Sequence, residues 1–215
     1  QPAIFLGGQG GLVGPCVIEY GTVIPAGQIW RGDVTEPGRL VAKVAFRKSI
    51  NMAYDPRQYH GVGRVLRNNL LYLGNILALD VWYRVVRAPF MAVDPFQAAC
   101  HAGARRRLAE ILDERLSRLD ELAKKVALSL DLGSPNPAAD EHRAFVDRWP
   151  ELKAALRALV DGRETLAVPE AVAALVLSLP KDNYLRAIQT LTAEGARTLS
   201  SWLAACPAAT AALQK

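Results

Sequence analysis

The sequence predicts a mixed fold: a short parallel β-helix segment at the front, followed by a predominantly α-helical C-terminal region. Two observations carry that prediction. Leu6, Leu12, Ile18, Ile24 and Trp30 recur at intervals of six. From residue 65 onward, apolar residues recur at helical spacing between Gly and Pro breaks.

In register the front reads LGGQGG, LVGPCV, IEYGTV, IPAGQI and WRGDVT. A large first residue fills the inside of each coil and Gly or Pro turns the corner. A compact fifth residue (Gly10, Cys16, Thr22, Val34) packs beside it, with Gln28 as the departure. Gly21, Gly27 and Asp33 share one offset, where a left-handed backbone costs least. A Gly-rich β-meander is the competing reading, and five consecutive register matches favour the coil. Arg31-Gly32-Asp33 spells an adhesion tripeptide but falls at a coil corner.

These residues resemble the hexapeptide-repeat, left-handed β-helix family, which includes acyltransferases and the C-terminal domains of bacterial sugar-nucleotidyltransferases. The resemblance covers residues 6–35. It implies three hexads per triangular coil, so five hexads make fewer than two coils. Solenoids need at least about three units to bury a continuous core. With Gln1 in place of Met, the expectation is the C-terminal piece of a longer protein, or coils supplied from elsewhere.

The function so implied is the assembly and substrate-proximal region of a transferase, foremost a nucleotide-sugar pyrophosphorylase (sugar-1-phosphate nucleotidyltransferase). A coenzyme-A-dependent acyltransferase and a non-enzymatic helical scaffold or oligomerisation module stay open as alternatives. Family acyltransferases use a His base at the seam between β-helices, whereas His60, His101 and His142 all lie outside the repeats. GGQGG at residues 7–11 is followed by no strand-to-helix phosphate cradle. No catalytic residue is assigned. No cofactor is expected in this segment, and Mg²⁺ would belong to the catalytic part of the parent enzyme.

A hydrophobic fraction of 51% with 22% charged residues fits one or two globular domains. Cys16, Cys100 and Cys206 are odd in number and widely spaced, so neither a disulfide framework nor a metal site is expected and the chain reads as cytoplasmic. The net charge is +5. Arg39, Lys43, Arg47, Lys48, Arg57, Arg64 and Arg67 occur where acids are scarce, interleaved with Tyr54, Tyr59 and His60. Such a surface draws phosphate. Arg47, Arg57, His60 and Arg64 are therefore the predicted contacts to an anionic small molecule, against the plainer reading of a solvated basic face. Nucleic acid is not expected, because no recognition motif accompanies the charge.

Residues 1–36 form the predicted coils, 37–132 a linker plus two long helices, and 133–215 a helical subdomain. After the Pro37-Gly38 turn, residues 39–50 read as a strand that closes the coil's open end, and Asp55-Pro56 reads as a helix start. Residues 65–86 are apolar nearly all round, hence buried. Asn68, Asn69, Asn75, Asp80 and Arg84 interrupt them, so no membrane span or membrane partner is expected, and Asp80 and Arg84 pair at i,i+4.

The clearest amphipathic helix runs from 96 to 132. Its stripe of Leu112, Leu116, Leu119, Ala123, Val126 and Leu130 serves either intramolecular packing or self-association. Self-association through this stripe or through the coil is the expected partner interaction. Arg105, Arg106 and Arg107 read as a solvated face. GSPNPAAD at 133–140 reads as the main boundary, with Asp140 as a cap. Beyond it, Pro150 and Pro169 suit first-turn positions, His142 suits the surface, one helix spans about 181–205, and the last residues fray.

Overall fold

The computed structural model describes residues 2–42, 59, 61–92, 94–131 and 138–214. The chain divides into two compact units, Gln1–Asp55 and Pro56–Lys215. The first holds short strands and the second is helical, so the α-rich mixed class stands.

Unit 1 contains β1 (Phe5–Leu6), β2 (Gly11–Val13), β3 (Val23–Ile24) and β4 (Ile29–Arg31). β1 pairs parallel with β3, Phe5 against Val23 and Leu6 against Ile24. β2 pairs parallel with β4, Leu12 against Trp30. Isolated parallel bridges join Ile18 to Val34 and Val23 to Leu40. The described strands thus form two short parallel two-stranded sheets. The segment after Pro37-Gly38 continues the ladder, with Val23 donating to the Arg39 carbonyl at 2.7 Å and Val41 donating to the Val23 carbonyl at 3.0 Å.

Corners need a positive φ, and Gly21 (76°) and Gly27 (71°) supply it as expected. Asp33 does not. Gly32 takes the left-handed conformation at 109°, and Asp33 instead accepts the Val17 amide at 2.7 Å through Oδ1. A side chain suited to local hydrogen bonding is thus used as a backbone cap rather than as a turn residue.

Unit 2 begins with α1 (Val62–Trp82), which passes into a π-helical turn at Tyr83–Arg87 and then α2 (Ala88–Met91). α3 (Pro95–Asp131) follows, then α4 (Ala139–Asp161) and a 3₁₀ turn at Gly162–Thr165. The remainder is α5 (Glu170–Ser178), α6 (Tyr184–Gln189), α7 (Ala193–Leu203) and α8 (Ala205–Ala212). The main core lies among α1, α3 and α4, with Leu70, Leu73 and Leu77 meeting Leu112, Leu119, Val126, Trp149 and Leu156. Each of these leucines contributes about 1.5–3 kcal/mol on burial. A second cluster joins Val86 to Val172, Val176 and Leu199.

Several expectations change here. The Leu112–Val126 stripe is buried within this core, the intramolecular one of its two expected roles. α3 and α4 share one core. Pro150 lies inside α4, not at a helix start. The missing N–H is tolerated because Phe145, Trp149, Leu152 and Leu156 anchor the helix on both sides of it. Pro169 precedes α5 as its N-cap. His142 is fully buried rather than at the surface. The single helix expected over 181–205 is two helices, because Asn183 and Thr192 accept the Arg186 and Gly195 amides and start new ones.

The C-terminal residues do not fray. They form α8, packed on α1 where Gly74 meets Pro207 and the buried Thr210. A Cβ on Gly74 would lie 2.3 Å from the Pro207 Cα, so only glycine allows this approach. Among the described residues no helix is long and apolar enough to cross a membrane.

Candidate functional site

Arg47, Arg57 and His60, three of the four predicted anion contacts, lie outside the described residues, as does the Asp55-Pro56 helix start. Arg64 is exposed in the first turn of α1, directly after Gly61 with φ 64°. Of the other basic residues of that segment, Arg39 is paired with Glu36 and Arg67 is exposed on α1. Nearby, the Tyr59 amide donates to Ser129 Oγ at 3.5 Å.

In unit 1 the notable geometry is an open edge. Leu6 and Ile24 occupy the same hexad position and pair directly, yet Leu6 is 52% exposed and Ile24 only 3%. Position in the stack accounts for the difference, since β1 covers Ile24 and nothing described covers Leu6. Leu12 is likewise exposed above the half-buried Trp30. Among the described residues β1 pairs only with β3 and β2 only with β4, so each keeps one free edge beside an exposed apolar side chain.

In unit 2 charge collects around the π-helical turn, a backbone irregularity of a kind often found at functional sites. Asp80, 1% exposed, does not pair with Arg84. It accepts both Nε (3.2 Å) and Nη2 (3.3 Å) of Arg105, and Arg163 Nε stands 3.9 Å away. Arg105 Nη2 also donates to Glu164 at 2.6 Å. Arg84 instead donates Nη2 to the Leu166 carbonyl at 2.8 Å. Burial alone would lower the pKa of Arg105, but the hydrogen bonds to Glu164 and Asp80 outweigh it and raise it. The Arg105 hydrogen bond holds the Glu164 carboxyl below its ordinary range. Three guanidiniums thus face two carboxylates, and one positive charge is left over.

The sequence signal for this cluster is an aspartate in an otherwise apolar helix, to which helical spacing offers Arg84 and tertiary packing gives Arg105. Arg105 belongs to the run read as a solvated face. Arg106 and Arg107 do fit that reading, both paired with Glu110. Arg105 differs because its position on α3 turns it toward α1.

Aromatic rings border the cluster. His101 stacks on Tyr83 with centroids 5.7 Å apart, and its Nε2 lies 2.9 Å from the Tyr83 carbonyl. A carbonyl only accepts, so Nε2 carries the proton. Arg87 sits 5.0 Å from the Tyr83 centroid and 4.9 Å from that of Tyr184. A saturated carboxylate and a committed imidazole make a poor acid–base pair, and the arrangement suits binding and rigidity better than proton transfer. Among the described residues no three His, Cys, Asp or Glu side chains form a group that could hold a metal ion.

No protein-family model, curated protein or solved structure matches this chain.

Proposed function

We propose that this chain supplies the final coils and helical tail of a hexapeptide-repeat transferase acting on a nucleotide sugar, and that its coil segment builds the assembly. The observation that carries this is the ladder difference. Phe5 pairs with Val23, Leu6 with Ile24, Gly11 with Ile29 and Leu12 with Trp30, each parallel and eighteen apart. Eighteen residues are three hexads, the length of one triangular turn. A flat antiparallel meander would keep the sum of partner numbers constant and not their difference. The left-handed β-helix is part of this proposal. It is supported further by the positive φ of Gln9, Gly21 and Gly27, which share one place in the hexad.

The exposed Leu6 and Leu12 and the free edges of β1 and β2 would be covered by a further parallel coil, which makes this edge the assembly face. Free thiols at Cys16, Cys100 and Cys206 support a cytoplasmic setting. The nucleotide-sugar class follows from the family resemblance and from the basic segment ending at Arg64.

Thermal-shift titration with UTP, a UDP-sugar and acetyl-CoA tests the reading, because a ligand that binds only the folded state raises its melting point. A UDP-sugar shift that weakens in Arg57→Ala/Arg64→Ala is the expected result. Stabilisation by acetyl-CoA alone would point to acyl transfer, and none by any of the three would leave a scaffold.

A further inference from the structure

In unit 2 an open groove of about 490 Å³ runs between α1, which contributes Asn75, Leu79 and Trp82, and the end of α7, which contributes Ser200, Leu203 and Ala204. Positions four and seven apart on one helix and three and four apart on the other make each wall a single helical stripe. Leu79 is 42% exposed, and Leu71, two turns earlier on the same face of α1, is 37% exposed. Charge is missing from both walls. Residues 68–79 and 198–214 contain no Asp, Glu, Lys or Arg, in a chain of which 22% is charged. Charge depletion around exposed apolar side chains is the mark of a protein interface rather than of a solvated surface.

The order of residues along α1 selects the occupant. Leu71, Asn75 and Leu79 follow one another at four-residue steps on the exposed face, so leucine, amide, leucine reads the same in both directions about Asn75. Two antiparallel copies of one helix related by a two-fold axis require that symmetry, because each residue before the axis meets its counterpart after it. With the axis at Asn75, Leu71 of a second copy lands beside Leu79 in the groove and the two Asn75 side chains meet. Asn75 gives one N–H to the Leu71 carbonyl at 2.8 Å. An amide has a second N–H and an acceptor oxygen, a set that pairs with its own kind and fixes register between helices. The net charge of +5 opposes self-association everywhere except across a patch without charge.

We propose that two copies of this chain associate through antiparallel α1 helices about a two-fold axis at Asn75, each groove receiving Leu71 of the other copy. The small side chains of Ser200 and Ala204 leave room for that leucine, and Trp82 and Leu203 close over it. This interface lies wholly in unit 2 and is independent of the coil and of the nucleotide-sugar reading.

Sedimentation equilibrium of the full chain beside Leu79→Lys tests the proposal, since the lysine sets a charge against the other copy's Leu71. At high concentration the unaltered chain is expected to show at least twice the mass of Leu79→Lys, whatever multiple the coil contributes, with the same circular dichroism. Oxidative cross-linking, read from the joined peptides, locates the axis. Asn75→Cys should form a disulfide with its own copy, and so should Leu71→Cys mixed with Leu79→Cys. Leu79→Cys alone should not, because its two copies stand about 12 Å apart along the helices. Equal masses overturn the proposal and leave the groove to a different partner. Cross-linking of Leu79→Cys as strong as that of Asn75→Cys overturns the axis. Should Leu79→Lys fail to fold, the cross-linking comparison decides.

Discussion

Replacing Asp80 by asparagine removes one buried negative charge and sets an amide N–H₂ against guanidinium donors. Breaking a fully buried pair costs about 3–5 kcal/mol because the surviving charge stays desolvated. Here Arg105 and Arg163 remain 25% and 21% exposed, and Arg105 keeps Glu164. Partial hydration and the retained partner reduce the expected loss to about 2–3 kcal/mol. Urea unfolding followed by the helical circular-dichroism band is the suitable assay, since every described helix belongs to unit 2. With m near 2 kcal/mol/M, the midpoint should fall by roughly 1 M. Glu164→Gln, altering a half-exposed member, should cost about 0.5–1 kcal/mol. If Glu164→Gln proves as damaging as Asp80→Asn, the cluster is not organised around Asp80 and the reasoning fails.

Three further substitutions probe the rest of the molecule. Gly74→Leu should force α8 off α1 at a cost of about 1–3 kcal/mol and speed amide exchange across Ala205–Ala212; unchanged protection there would mean that Pro207 does not sit against Gly74. Leu112→Ala should destabilise unit 2 by about 2–5 kcal/mol without altering the sedimentation coefficient of the folded protein, whereas a shift in oligomeric state would reassign the stripe to self-association. Hydrogen bonds from Lys153 and Trp149, with help from Lys124, hold the Asp120 carboxyl well below the ordinary carboxylate range. Because the folded pKa is the lower one, this stabilisation is complete above the ordinary value and is lost as pH falls toward the folded one. Asp120→Asn should therefore flatten the acid side of the stability profile, and an unchanged slope would show that Asp120 adds nothing.

Periodicity revealed what depends on local repetition. The sixfold beat predicted where Leu6, Ile24 and Trp30 would align, and the 3.6-residue beat located α1 and α3 to within a few residues. What it could not reveal was the choice among partners distant in sequence. Asp80 lay equally within reach of Arg84 by helical spacing, and only the packing of α3 on α1 gives it Arg105. His142 among acids reads as surface until α4 turns it into the core. The alanine-rich tail carries no strong pattern, and its helix exists because a glycine more than 130 positions earlier leaves room for Pro207. Proline in α4 broke a local rule that tertiary packing overrode.

The central claim is that β1 and β2 pair parallel with β3 and β4 at a difference of eighteen residues. Nuclear Overhauser contacts between backbone protons of the full chain test it directly. Contacts linking the Gly11–Val13 strand to Ile29–Arg31 and Phe5–Leu6 to Val23–Ile24 at that constant difference are the predicted result. Antiparallel cross-peaks, with partner numbers converging on a hairpin turn, would contradict it.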